Sequence, residues 1–294
     1  MLRLATPQLA VEIAERGAEL RSVRDASGAE WLWQGDPAWW GGRAPLLFPV
    51  VGRSPDDRVT IGGTAYPMGS HGFARTADFT VEAADATTAR LALADDAATR
   101  TAFPFAFRLE LSYRLAGATL HTSATVSNRD ISDMPFQFGF HPGFAWPLPG
   151  SAGETHRVTL ANGGAPPLYR LDADKLLVSR PLPSPFVAGV LTPAAAMFEA
   201  DAMLFPEGAG DAIAFAAEGG ARVELRCANL PNFAIWQKPG APYLCLEPWH
   251  GTAPVADGGD ALETRHGRAL LAPGQSMTFG LALTFSPAAP HSGG

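Results

Sequence analysis

Cysteine is nearly absent from this chain, whose 294 residues include only Cys227 and Cys245. Two cysteines are too few for a disulfide framework or a cysteine-based zinc site. Each lies in an apolar, strand-like run, which indicates buried free thiols. Lysine is equally scarce, with only Lys175 and Lys238, and the formal net charge is -7. Since no run of Lys or Arg occurs, the sequence lacks the basic surface typical of nucleic-acid-binding proteins.

Long hydrophobic segments are also missing. No apolar run approaches the roughly 20 residues that a helix needs to cross a bilayer, and Met1 to Leu9 lack the apolar stretch of a signal peptide. We therefore expect a cytoplasmic protein that binds neither membranes nor nucleic acid. With 47% hydrophobic and 17% charged residues, the chain has enough apolar side chains for a large buried core.

The residues that are present follow a period of two. Apolar and polar side chains alternate over 107–113 and 120–126 across a short turn, and again over 9–13 and 279–285. This pattern predicts strands with one buried face. The 31 glycines and 26 prolines interrupt any long helix, leaving room for a turn or two around 37–40. We predict an all-β fold, a large antiparallel β sandwich, with a single domain over 1–285 and a flexible tail over 286–294.

Two early segments place charged side chains beside apolar or small residues. Arg53 directly follows the apolar run 48–52, where it is either solvated or a guanidinium fork for oxygen atoms. His71 and Arg75 flank Phe73 in a segment that begins with Gly69-Ser70. A loop of small residues lets a backbone approach a ligand closely, so this segment favours a binding site.

A third segment ends a strand on a histidine. Phe136, Phe138 and Phe140 share one face of the predicted strand, and His141 lies on the other, where Pro142 stops the ladder. His141 could simply cap the strand end by bonding a backbone carbonyl. The aromatic, glycine-containing setting is instead typical of a sugar pocket, in which rings cover apolar sugar faces.

A fourth segment places Glu247 at the end of the apolar strand 243–246 and before Pro248, with Trp236 in the preceding strand. A carboxylate in apolar surroundings is costly unless it has partners, and burial raises its pKa. Such a group can act as a base near neutral pH. A salt bridge to a nearby Arg is the structural alternative.

These segments occur in a fixed order with β periodicity between them. Together they resemble the aldose 1-epimerase (galactose mutarotase-like) family, in its LacX-like branch, from about Leu9 to Phe285. The residues that carry the resemblance are His71-Gly72-Phe73-Ala74-Arg75, Gly139-Phe140-His141-Pro142 and Glu247-Pro248-Trp249-His250-Gly251.

The resemblance implies a galactose mutarotase-like supersandwich that binds a sugar in a cleft and uses no metal or organic cofactor. His141 would be the general acid and Glu247 the general base that interconvert the α and β anomers of an aldose. The predicted substrate-binding residues are Arg53, His71, Arg75, Asp201 and Trp236. Many relatives read His-Pro-Tyr-Phe where this chain has His141-Pro142-Gly143-Phe144, so one aromatic ring is missing at Gly143.

Alternative functions stay open at this point. In a hexose-6-phosphate 1-epimerase, Arg53 and Arg75 would bind the phosphate through charge-assisted hydrogen bonds. A non-catalytic carbohydrate-binding sandwich, or an accessory sandwich of a larger polysaccharide enzyme, would bind sugar without chemistry. The partner is in each case a sugar or sugar phosphate, and the protein could be a monomer or a homodimer formed through an edge strand.

Overall fold

The computed structural model describes residues 1–288, and nearly all of its regular elements are antiparallel β-strands. The all-β, antiparallel prediction is therefore confirmed. The last strand runs to Ser286, so it includes the first residue of the predicted tail, and residues 289–294 of that tail lie outside the described residues.

The larger of the two main sheets has nine strands, and the hairpin predicted over 107–126 lies within it. One of its edge strands begins at Thr80, and Val81 on this strand is 37% exposed. The strands, in their order across the sheet, are β15 (Val190–Leu191), β14 (His156–Leu160), β17 (Ala212–Ala217), β18 (Arg222–Ala228), β22 (Ser276–Ser286), β10 (Thr119–Asn128), β9 (Phe107–Ala116), β8 (Thr88–Ala94) and β7 (Thr80–Ala84).

The second main sheet has six short strands and carries the candidate site. Its order is β16 (Met203–Phe205), β19 (Asn232–Trp236), β20 (Tyr243–His250), β12 (Phe138–Phe140) and β4 (Leu46–Leu47), and β13 (Gly143–Ala145) also pairs with β20.

The remaining elements are small. They are a three-stranded sheet of β1 (Leu2–Ala5), β2 (Leu9–Ile13) and β3 (Leu20–Asp25), the pairs β5 (Arg58–Ile61) with β6 (Thr64–Pro67) and β11 (Met134–Phe136) with β21 (Ala269–Leu271), the helix α1 (Ala97–Arg100), and 3₁₀ turns at Pro55–Asp57, Ala74–Thr76, Ala195–Phe198 and Leu262–Thr264. Within residues 1–288, no helix is long and apolar enough to cross a membrane.

The main hydrophobic core lies between the two large sheets, because alternate residues of their strands point inward. On β20, Leu244 and Leu246 belong to this core. Tyr243, Cys245 and Trp249 pack in separate clusters on the opposite face of the same strand. Glu247 has the same parity as these three residues, so the six-stranded sheet presents it on the face away from the main core.

The predicted strand over 136–141 is interrupted, although its alternation of faces is as expected. The backbone N–H of Gln137 donates to Pro49 (N–O distance 2.8 Å) rather than to a sheet neighbour. The Gln137 side chain is fully buried, accepts from the N–H of Val51 (3.0 Å) and donates to the carbonyl of Thr252 (3.0 Å). These bonds tie the loops after β4 and β20 to the break between β11 and β12, next to the candidate site.

Candidate active site

Strand register places His141 opposite Glu247. Gly139 pairs with Trp249 across β12 and β20, and Gly143 pairs with Cys245 across β13 and β20. Both pairings have the same register, so the intervening His141 is the residue directly across from Glu247. Side chains opposite each other in an antiparallel pair lie on the same face and in reach of one another.

The two side chains are in contact in a nearly dry environment. His141 Nε2 lies 3.2 Å from Glu247 Oε2. His141 is 7% exposed and Glu247 only 1% exposed. Across the sheet on the other side, Glu247 is opposite Ala234, whose small side chain leaves space above the carboxylate. A basic and an acidic group therefore meet at one point, where both can reach a small ligand.

Two glycines flank His141 on the same face of its strand, and two tryptophans fill the space they leave. A Cβ on Gly139 would lie 2.5 Å from Cδ1 of Trp249, and one on Gly143 would lie 3.0 Å from Cζ3 of Trp40. The Trp40 ring is stacked on the His141 imidazole, with ring centroids 4.9 Å apart and an interplanar angle of 27°. The missing side chain at Gly143 is thus what allows Trp40 to reach the histidine.

His71 is held beside His141 by a strained turn. Its φ is +64°, a left-handed value that is uncommon for a residue with a side chain. The backbone compensates, because His71 N–H donates to the Gly52 carbonyl (2.8 Å) and Gly52 N–H donates to His71 Nδ1 (3.2 Å). The ring centroids of His71 and His141 are 5.8 Å apart. Strain of this kind is concentrated at functional sites.

Arg75 lines the same cavity as His71 and His141 and has no acidic side chain bound to it among residues 1–288. Within residues 1–288 its guanidinium forms no hydrogen bond and no salt bridge. Burial lowers its pKa, and the charges of Glu19 and Glu247 partly offset this. Its donors are therefore available to a ligand or to the ionised form of Glu247.

Arg53 and Asp201, by contrast, already have partners. The Arg53 guanidinium is about half exposed and binds both oxygens of Asp57, at 2.9 and 3.0 Å. Asp201 Oδ2 accepts from Nζ of Lys175 at 2.7 Å. Asp201 has a φ of +65°, and Arg170 fixes its backbone by donating to its carbonyl oxygen. A ligand that uses these two side chains would have to share or replace these contacts.

All seven residues singled out from the sequence line one cavity of about 320 Å³. The set is Arg53, His71, Arg75, His141, Asp201, Trp236 and Glu247. The other lining residues, which were not predicted as site residues, include Trp40, Lys175, Leu204 and Trp249. A local signal existed for one of them, because two tryptophans followed by Gly41-Gly42 place bulky rings in a loop that can approach other backbone closely.

The roles of general acid and general base would require a charged His141 and an ionised Glu247 at the start of the reaction, and burial disfavours both states. Burial raises the pKa of Glu247 well above its ordinary value, Asp201 raises it further, and Arg75 and the Trp249 indole oppose the shift. Burial lowers the pKa of His141 well below 6.5, and His71 and Arg75 lower it further. Both shifts favour the state in which neither side chain is charged. The one titratable proton of the pair is then on the Glu247 carboxyl group, and His141 is neutral.

One group of side chains at this site has ligand atoms close enough together to bind a metal ion. Ligand atoms of His141, Cys245 and Glu247 lie within 4.8 Å of one another. Burial, with the charge of Glu247, raises the pKa of the Cys245 thiol well above its ordinary value. Metals bind the thiolate, so this environment favours the protonated thiol over a metal ligand.

Comparison with known proteins gives one consistent result. The model of a family described as aldose 1-epimerase matches residues 1–284. The chain is 26% identical over 278 residues to the chromosomal protein LacX of Lactococcus lactis subsp. lactis, covering 90% of this chain and 92% of the relative. The structure is similar to that of a galactose mutarotase related enzyme from Lactobacillus acidophilus (30% identity, TM-score 0.91, 98% of each chain). It is also similar to a galactose mutarotase-like protein from Lactobacillus casei (27% identity, TM-score 0.90, 97% of this chain and 100% of the other).

The protonation state of His71 can be measured directly. Burial and the Arg75 charge lower its pKa to about 3, and its Nδ1 accepts a hydrogen bond from Gly52. We expect NMR of ¹⁵N-labelled protein to show His71 neutral and protonated on Nε2 throughout the range from about pH 5 to pH 8, whereas in urea it should titrate near 6.5. A titration of His71 near 6.5 in the folded protein would contradict the assignment.

Proposed function

Because the chain belongs to the aldose 1-epimerase family, we propose that it interconverts the α and β anomers of an aldose by opening and reclosing the sugar ring. The observation that carries the proposal is the contact between His141 Nε2 and Glu247 Oε2, 3.2 Å apart inside the cavity. The anomeric hydroxyl and the ring oxygen are bonded to the same carbon. An acid and a base that serve them must therefore lie side by side, as these two groups do.

The proposed reaction moves two protons and breaks one bond. Glu247 accepts the proton of the C1 hydroxyl while protonated His141 gives a proton to the ring oxygen, and the bond between C1 and the ring oxygen breaks. The product is the open-chain aldehyde. Rotation about the C1–C2 bond presents its other face, and closure then returns a proton to His141 and a proton from Glu247 to the new C1 hydroxyl.

This scheme requires the proton of the pair to be on His141 when the ring opens. In the free protein, burial favours the state in which this proton is on the Glu247 carboxyl group. Transfer across the 3.2 Å contact converts the neutral pair into carboxylate and imidazolium. Arg75 and the Trp249 indole, which both lower the pKa of Glu247, stabilise that form. A bound C1 hydroxyl that donates to the carboxylate would stabilise it further.

The rest of the cavity supplies contacts suited to a sugar. Trp236 and Trp249 offer apolar surface, and His71, Arg75 and Asp201 offer polar atoms for hydroxyl groups. Pockets of this kind bind small polar ligands through a few placed hydrogen bonds on a mostly apolar wall.

Replacing Glu247 by Gln tests the chemistry. The amide keeps the size of the side chain but cannot accept the proton, so we expect mutarotation to slow by about 100- to 10,000-fold. The fold should be kept, because the amide has the size of the carboxyl group, which burial already favours in its neutral form. Polarimetry of freshly dissolved α-glucose and α-galactose would measure the rate, with thermal melting as the check of folding.

Glu12→Gln, outside the cavity, is the matched control and should retain the wild-type rate. Full activity of Glu247→Gln would remove Glu247 from the mechanism. Sugar binding by a wild-type protein that does not accelerate anomer exchange would favour the carbohydrate-binding alternative.

The pH dependence provides a second test. The His141–Glu247 pair is positively charged when it holds two titratable protons and negatively charged when it holds none, and burial disfavours both charged states. Burial therefore lowers the pH at which the second proton binds and raises the pH at which the last proton leaves. The one-proton state then spans more than the interval between the ordinary values of about 4.3 and 6.5. We expect kcat/KM to be flat over the interval between these ordinary values and beyond both ends of it. A loss of kcat/KM with a single ionisation near 6.5 would show instead that His141 titrates independently of Glu247.

A second candidate substrate is a hexose 6-phosphate. Three cationic side chains, Arg53, Arg75 and Lys175, line the cavity. Arg53 and Lys175 are neutralised by Asp57 and Asp201, so a phosphate would have to displace a carboxylate to use them. We therefore place the free aldose first. NMR exchange spectroscopy on glucose and glucose 6-phosphate distinguishes the two: a kcat/KM for the phosphate about 100-fold or more above that for glucose would reverse the order, since one ion pair contributes differences of this size.

A further inference from the structure

The Trp40 indole lies in a space that two glycines leave open. A Cβ on Gly42 would lie 2.6 Å from Cζ2 of the indole, and one on Gly143 would lie 3.0 Å from Cζ3. Gly143 cannot move away easily, because its N–H donates to the Arg43 carbonyl (2.8 Å) and its carbonyl accepts from Trp33 (2.9 Å). Any side chain at either glycine would therefore displace the indole.

The loop that carries Trp40 is fixed at several points. Trp40 N–H donates to the Asp36 carbonyl (2.9 Å), and the Trp33 indole donates to the Trp40 carbonyl (2.7 Å). The Trp40 ring meets Trp236 edge to face at 5.4 Å and lies 5.5 Å from Tyr243. Such aromatic contacts have preferred geometries, so the plane of Trp40 is set by its neighbours.

The His141 imidazole, in contrast, has no hydrogen bond that fixes its plane. Its Nδ1 is buried without a hydrogen-bond partner among residues 1–288. The second nitrogen of a functional histidine usually makes the bond that orients the ring. Here aromatic rings surround the imidazole instead: Trp40 is stacked on its face, and Trp236 and His71 each meet it edge-on at 5.8 Å.

We propose that Trp40 is a positioning residue that acts through His141, because its stacked indole holds the imidazole in the position in which Nε2 lies 3.2 Å from Oε2 of Glu247. The inference rests on the proposed epimerase function for its kinetic part and on the geometry alone for the rest. A freely turning imidazole would direct Nε2 away from the carboxylate for part of the time. Misplacement of a reacting group by about 1 Å is enough to reduce a rate 100-fold.

The kinetic test compares three variants. We expect Trp40→Leu to lower kcat by about 10- to 100-fold with KM changed by less than about threefold, since His71, Arg75 and Asp201, which offer the polar atoms for sugar hydroxyls, stay in place. Trp40→Phe keeps a flat ring and should retain most of the activity. Trp39→Leu is the matched control: it removes the neighbouring tryptophan, which is 37% exposed and does not line the cavity, and should leave both constants unchanged.

An NMR measurement tests the same inference without turnover. In Trp40→Leu the His141 ring signals should lose the ring-current shift of the indole and broaden. The pKa of His141 should also move up towards 6.5, because water then reaches the imidazole. Gly143→Ala provides a second variant that displaces the indole without removing it, and it should shift the same His141 signals.

The outcomes separate the two proposals. A wild-type protein inactive on all aldoses and their phosphates would defeat the proposed function, while the NMR part would still decide the role of Trp40. If Trp40→Leu is folded and keeps the wild-type kcat, or if only KM rises, the positioning role is wrong. Unchanged His141 signals in both Trp40→Leu and Gly143→Ala would overturn it as well.

Discussion

The site depends on one strand register. The pairings of β20 with β12 and with β13 are in phase, so His141 and Glu247 are opposite each other although they are distant in the sequence. A slip of one residue would move Glu247 into the hydrophobic core and Leu246 into the cavity. The register is held by the core residues Leu244 and Leu246 on the other face. The hydrophobic packing that stabilises the sandwich is therefore the same packing that aligns the two polar groups.

Burial of this pair has electrostatic consequences that its neighbours limit but do not cancel. Burial raises the pKa of Glu247 and lowers that of His141, so the neutral pair is favoured. Arg75 stays close enough to lower the Glu247 pKa, yet makes no ion pair within residues 1–288 that would fix the carboxylate in its charged form. The energy difference between the two positions of the proton is thereby reduced, and a single proton can serve either group.

The sequence predicted the antiparallel strands because alternation along a strand is a local property, visible in segments such as 107–126. It also indicated Glu247 and His141, since a polar group at the end of an apolar strand departs from local expectation. It could not indicate Trp249 as a cavity residue, because a tryptophan in a strand is ordinary until the fold brings a glycine opposite it. The partners of Arg53 and Asp201 were equally hidden, since ion pairs such as Lys175–Asp201 depend on loop conformation rather than on pattern.

The aromatic rings around His141, in place of hydrogen bonds, fit the proton transfer that the proposed reaction requires. A carboxylate or carbonyl that accepted from Nδ1 would orient the imidazole, but it would also stabilise the imidazolium and raise its pKa. An indole face orients the ring by shape, and its attraction for a cation is weaker, about 0.5–2 kcal/mol. With Trp40 on one face and Nδ1 left without an acceptor among residues 1–288, the imidazole is held in place while its charge is left to Glu247 and the ligand. Gly139 and Gly143, on either side of His141, make this arrangement possible by leaving space for the two indoles.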